Sequence, residues 1–154
     1  SNSIISTKDV INNLTCSSQL QDVTIANTTY NYNPWNVVDD DVSTCWSEGI
    51  YGKGENEYLY LELNKLYTIN GIKIYNGLQT NSDLFYKNSR VKKCSLEFSN
   101  NQKLEYELNG EWENCINNLV FKTPINTSFI KITILSTYNG NKYDDTCISE
   151  IEII

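Results

Sequence analysis

The chain reads as an all-β protein, an antiparallel β-sandwich, and three observations carry that reading. Short segments that alternate apolar and polar residues recur roughly every ten positions. Turn-forming residues separate them, and no stretch between them keeps the 3.6-residue rhythm of a long helix. The length of 154 residues suits a single domain with one core.

Taken in order, residues 1–20 mix Ser, Asn and Thr with apolar positions at Val10, Ile11 and Leu14. They are set apart as a lead-in, either a brief helix or irregular, ahead of a domain covering 21–154. Val23-Thr24-Ile25-Ala26 begins a strand that breaks in the Asn- and Tyr-rich stretch up to Pro34. Tyr58 to Leu63 alternates as a half-buried strand should. Thr68 to Tyr75 repeats the alternation and stops at Asn76-Gly77, a turn signal. Cys94 to Phe98 and Leu104 to Leu108 flank Asn100-Asn101 as the arms of a hairpin. Leu119 to Phe121, Phe129 to Ile134 and Ile148 to Ile153 complete the set. Three long connections remain, 31–56, 77–90 and 136–147, and connections of that length are where function concentrates.

Composition narrows the function classes. A net charge of −7 with Arg90 as the single arginine opposes binding to nucleic acid or anionic lipid, which Lys and Arg hold through phosphate. No apolar run approaches the roughly 20 residues needed to cross a bilayer, so membrane insertion is not expected. The sequence holds no Met and is read as a piece of a longer chain with further domains. It also holds no His, which removes the commonest general base and transition-metal ligand. Its five cysteines, Cys16, Cys45, Cys94, Cys115 and Cys147, show no zinc-type spacing. An odd number cannot all pair within the chain. Pairing of Cys45 with Cys147 is open if the residues around them are neighbours, and five free buried thiols are equally open.

The acidic turn Asp39-Asp40-Asp41 runs into Thr44-Cys45-Trp46 and stands against Ser149-Glu150 at the far end of the chain. Hard cations such as calcium take about six to eight oxygen ligands. An EF-hand needs Gly at its sixth position and Glu at its twelfth, where this chain has Thr44 and Ile50, so that motif is excluded. A different calcium site remains, built from Asp39, Asp41, Thr44 and Glu150 with carbonyl oxygens; a solvated acidic loop is the plainer alternative. The glycines of Trp46 to Gly54 do not make a phosphate cradle, because no Gly-Lys-Ser/Thr follows. Tyr86 to Arg90 and Tyr138 to Thr146 place aromatic, amide and cationic groups side by side. That chemistry suits sugars, whose hydroxyls need planar hydrogen-bonding groups and whose C–H faces pack on rings. Ordinary turn residues and a loop-fixing Arg90 are the alternatives. For catalysis, Glu48, Glu55 and Glu57 are the available loop carboxylates, but nothing sets their separation for glycoside hydrolysis.

The stretch Asn36 to Trp46 resembles the Ala-x-Asp-Gly-Asp/Asn-x-x-Thr-x-Trp motif of discoidin-type domains, also called coagulation factor V/VIII type C domains. Trp46 to Glu57 is similar to the Trp-x-Glu-Gly-x-x-Gly-x-Gly-x-x-Glu run of one branch, the NAD glycohydrolase-type glycan-binding domain. Asn76-Gly77, Tyr86, Asn88, Arg90, Phe98-Ser99 and Lys142 to Ile151 match further motifs of that branch, from about Val23 onward. The chain departs from the pattern at Asp40, where the family turn has Gly, at Leu78, where it has Tyr, and in the spacing of Asn88 and Arg90. The resemblance implies a jelly roll of about eight strands with ligand-binding loops at one end and a structural calcium nearby. It also implies secretion or surface display as part of a bacterial protein. The resulting expectation is a non-catalytic glycan-binding module that targets a larger exported protein. Glu48, Tyr86, Asn88, Arg90, Tyr138, Lys142 and Tyr143 are its contact candidates, and Trp46 is assigned to the core. The alternatives are a protein-recognition or translocation domain and, further off, a glycosidase.

Overall fold

In the computed structural model, which describes residues 6–154, there are nine strands, seven of which form an antiparallel β-sandwich. They are β1 Ile11–Cys16, β2 Val23–Ile25, β3 Thr28–Tyr30, β4 Trp46–Ser47, β5 Tyr58–Asn76, β6 Arg90–Phe98, β7 Lys103–Glu107, β8 Ile116–Tyr138 and β9 Cys147–Ile153. Two short α-helices, α1 Thr7–Val10 and α2 Ser82–Lys87, and two 3₁₀ turns complete the chain.

The segments Tyr58–Leu63 and Thr68–Tyr75 are the two halves of one strand, β5, and the two later apolar segments are likewise halves of β8. The β5–β8 register shifts between Glu62 and Tyr67 and again between Ile69 and Gly71. Each break redirects the pair, so one half serves each layer. The half containing Tyr58–Leu63 pairs on β1 and, through β8, on β6 and β7. The other half pairs on β9, which carries β4 at the edge. Side chains from both halves meet in one core: Leu59, Leu61, Ile72 and Ile74 of β5, Ile130, Ile132 and Ile134 of β8, and Leu96, Phe98, Ile148 and Ile151 from the neighbours.

Part of the expected lead-in belongs to the sandwich. Ile11–Cys16 is a strand on β5, preceded by one helical turn; residues 1–5 lie outside the described residues. Ile11 and Leu14 are both buried although three apart, a spacing that a flat strand would place on opposite faces. A register break between Ile11 and Asn13 supplies the extra residue that turns both inward. That three-residue spacing imitates a helical rhythm in the sequence.

The Cys94–Leu108 hairpin forms as expected, turning at Asn101, whose φ is +68°. β2 and β3 make a separate two-stranded hairpin through Ala26 and Asn27, both at positive φ, as the tightest hairpin turns require.

Gly71 sits at the second break, where an added Cβ would lie 2.4 Å from the Leu119 carbonyl oxygen on the facing strand. Gly71→Ala is expected to lower stability by about 2–4 kcal/mol, because backbone rather than a side chain must move. Urea unfolding measures it; an unchanged midpoint would show that the break is soft.

Candidate functional site at the loop end

The three long connections meet at one end of the sandwich. The first and third join through Thr146, whose N–H donates to Glu48 Oε1 at 3.0 Å and whose hydroxyl donates to the Lys53 carbonyl. The second and third join through the N–H groups of Asn141, Lys142 and Tyr143, which donate to the carbonyls of Tyr86 and Lys87. Ser89 Oγ accepts from Gly140, and the Ser89 N–H donates to the Asp145 carbonyl. The first and second touch where Thr80 Oγ1 donates to the Ser43 carbonyl.

Two of the contact candidates are buried inside this junction. Glu48 is 0% exposed, and its second oxygen accepts the Ile50 N–H at 3.1 Å. Gly54, at φ +80°, passes directly over it; a Cβ there would fall 2.2 Å from Glu48 Cγ. Burial pushes the Glu48 carboxyl up to about 7, with the Asp145 and Glu57 charges adding to the rise and the two backbone donors opposing it. Arg90 is 7% exposed, and its guanidinium donates to the carbonyls of Phe85 and Asn88 at the end of α2. It lies 4.9, 5.2 and 5.9 Å from the ring centres of Phe85, Tyr86 and Tyr138. Cation–π attraction and carbonyl acceptors thus take the place of an acidic partner. Both therefore lie beneath the loop surface, with little area of their own exposed.

Asn88 spends its amide on the Leu84 carbonyl, 2.9 Å away, and so closes α2. Tyr86 and Tyr138 are half-buried. The Tyr86 hydroxyl donates to Glu111 and accepts from the Trp112 N–H, while that of Tyr138 donates to the Leu108 carbonyl at 2.7 Å. Lys142 and Tyr143 are exposed, with the ammonium 5.3 Å from the ring centre. Trp46 is fully buried, its indole N–H donating to the Ser18 carbonyl.

The structure adds residues that the sequence reading passed over. Tyr32 is half-buried on the first connection, and Tyr51 stands wholly exposed on its Gly-rich part. Glu111 reaches Tyr86 from a fourth segment. No local pattern marks them, because their neighbours are distant in sequence.

The acidic turn and the last strand do come together. Thr44 Oγ1 donates to Asp39 Oδ2 and also lies 2.9 Å from the Asp41 carbonyl oxygen. Glu150 is 4% exposed, beside Asp39, and its Oε1 has no hydrogen-bond partner. Burial pushes its carboxyl up to about 9, helped by a hydrogen bond to Asp39 and the charges of Asp39 and Asp40. The Asp41 side chain instead accepts from the N–H and hydroxyl of Ser43, which holds its pKa low. Asp41 therefore faces the cluster through its carbonyl oxygen. Among the described residues no three acidic, His or Cys side chains converge, so a cation here would draw on hydroxyl and carbonyl oxygens as well. Asp40 holds the turn at φ +60°, the left-handed region where glycine is favoured.

Comparisons with known proteins follow the same lines. The family model described as NAD glycohydrolase translocation F5/8 type C domain matches residues 6–154. Curated protein sequences yield no match. Among solved structures, the chain is similar to the family 32 carbohydrate-binding module of C. perfringens NanJ in complex with galactose. The two are 18% identical at a TM-score of 0.66, over 92% of this chain and 91% of that one. It is also similar to a Clostridium perfringens module in complex with GalNAc-β-1,3-galactose, at 17% identity and a TM-score of 0.66, over 92% and 94%. The mycobacterial arabinofuranosyltransferase AftD matches at 16% and 0.66, over 90% of this chain but 10% of its own. At these identities the likeness establishes the fold.

The raised Glu48 pKa sets a pH dependence. Between about pH 4.5 and 7 the folded state keeps a proton that the unfolded chain releases, so stability falls as pH rises through that window. The contribution is about 1–3 kcal/mol. Urea unfolding with chelator present should show a shallower decline from pH 4.5 to 7.5 in Glu48→Gln than in the parent; parallel curves would contradict it.

Proposed function

Because the chain belongs to the NAD glycohydrolase translocation F5/8 type C domain family, we propose that it is a non-catalytic glycan-binding module. Its role is to hold a larger exported bacterial protein against cell-surface or extracellular sugars. The observation that carries this reading is the loop junction itself. A rigid, hydrogen-bonded base presents an exposed aromatic ring and ammonium, Tyr143 and Lys142, at one end of the sandwich. The sugars bound by the two C. perfringens modules supply the ligand class. Tyr143 offers a flat face to the C–H side of a pyranose, and Lys142 with the half-buried Tyr86 and Tyr138 offers polar groups at the rim. Glu48, Asn88 and Arg90 act from below by fixing the loops.

The family also implies calcium, and the acidic turn fits it. The orphaned, buried Glu150 oxygen lies where a cation would satisfy it, with Asp39, the Thr44 hydroxyl and the Asp41 carbonyl as companions. Bound there, the ion would supply charge that lets Glu150 ionise and would lock the turn to β9. At a hundredfold excess over its Kd, calcium would stabilise the fold by about 2.7 kcal/mol. Thermal unfolding should show that gain in the parent and its loss in Glu150→Gln; equal melting with calcium and with chelator would remove the ion from the account.

A glycan array on the folded chain tests the main reading. Specific sugar binding with Kd of about 0.1–1 mM is expected, weakened about tenfold or more by Tyr143→Ala. A blank array from folded protein would favour a second reading, recognition of a protein during export, to which the family description's word translocation points. Binding to target cells that survives glycosidase treatment would support the same alternative.

A further inference from the structure

Five cysteines are present, and two of them meet at the β4–β9 edge of the sheet. Cys45 immediately precedes β4, and Cys147 opens β9, where it lies opposite Ser47 in the ladder. The ladder ends at Trp46, so no strand bond holds the Cys45 backbone against β9. Each of the two residues is 2% exposed. Strand alternation puts Cys45 on the same face as Ser47, whose ladder partner is Cys147, so the two residues face the same side on a diagonal across the ladder; both are free thiols in this structure.

Position gives the pair its meaning. Cys45 directly follows Thr44, and its carbonyl accepts from Asn36 Nδ2 at 2.9 Å. Cys147 directly follows Thr146, the residue that joins the first and third connections, and stands three residues before Glu150. A bond between the two sulfurs would fasten the acidic turn to the strand that carries Glu150. The segment it closes is roughly a hundred residues long, in the range where a cross-link restricts the unfolded chain strongly.

We infer that Cys45 and Cys147 form a site for a disulfide cross-link, made when the chain folds in an oxidising compartment, and that this bond clamps the ligand-bearing loop to β9. The oxidant is a small-molecule disulfide of the glutathione type or a dithiol oxidoreductase in its disulfide form. The thiolate of one cysteine attacks the external disulfide and expels one thiolate. The partner cysteine, as thiolate, then attacks the mixed disulfide at the protein sulfur and expels the second. Two protons and two electrons leave the protein and reappear as two external thiols. Because both residues are buried in the folded chain, the exchange belongs to folding. Cys16, Cys94 and Cys115 stay reduced. The consequence for calcium rests on the cation reading above; the cross-link does not.

The test refolds the chain with mixed oxidised and reduced glutathione, traps thiols, denatures without reductant and counts them. Three reactive thiols out of five are expected, and proteolysis should yield one disulfide-linked pair of peptides containing Cys45 and Cys147. Cys147→Ala should return four thiols and no cross-link, whereas Cys94→Ala should keep the cross-link and leave two. The oxidised form should melt about 10 °C above the reduced one. Five free thiols after refolding, or a bond between any other pair, would overturn the assignment. Calcium titrations of both forms separate the second claim: affinity at least several-fold higher in the oxidised form supports the clamp, and equal affinity refutes it. If neither form binds calcium, the cation reading fails, and the thiol count still decides the cross-link.

Discussion

β5 and β8 pair from Tyr58 and Thr133 at one end to Tyr75 and Ile116 at the other, and the remaining strands of the large sheet attach to one of them directly or through a neighbour. A single antiparallel pair of that length would coil into a ribbon with no interior. The register breaks prevent this by bending both strands together, so that each contributes apolar side chains to two facing layers. The core therefore depends on a local departure from regular pairing. Gly71 stands at that departure, where the facing backbone leaves no room for a Cβ.

The same ladder determines where the loops go. Strands that enter and leave the two layers at one end bring connections that are far apart in sequence within hydrogen-bonding range. There the chain buries ionisable groups, which is unfavourable unless each is compensated. Arg90 is compensated by carbonyls and aromatic faces, and Glu48 by two backbone donors and a raised pKa. Arg90 Nε and Glu150 Oε1 are each left unpartnered, but Glu150 also faces the like charges of Asp39 and Asp40. That like charge makes Glu150 the group whose environment calls for a partner.

A shallow sugar site needs this kind of base. Sugars offer little apolar area, so affinity depends on rings and polar groups already held in position, with the ordering cost met during folding. The loop end has an arrangement of that sort: exposed Tyr143 and Lys142 are carried by backbone bonds to the end of α2, itself closed by Asn88 and held by Arg90. Weak individual contacts suit a module that works alongside other domains, where simultaneous attachment multiplies affinity.

The strands were legible in the sequence because alternation is a local property: a half-buried sheet leaves its period of two in Tyr58–Leu63, Thr68–Tyr75 and Phe129–Ile134 whatever their partners. The motif from Asp39 to Trp46 was legible for the same reason, since its turn bonds are made within a few residues. Only the tertiary structure decided that β5 and β8 each run through both layers, and that Ile11–Cys16 is a strand whose bulge imitates helical spacing. It also decided which site residues are reachable. Glu48 and Lys142 are alike in the sequence as polar loop residues, yet one is sealed beneath Gly54 and the other faces solvent. Burial of a side chain is fixed by what folds over it, and at the loop end those neighbours come from segments up to about a hundred residues away.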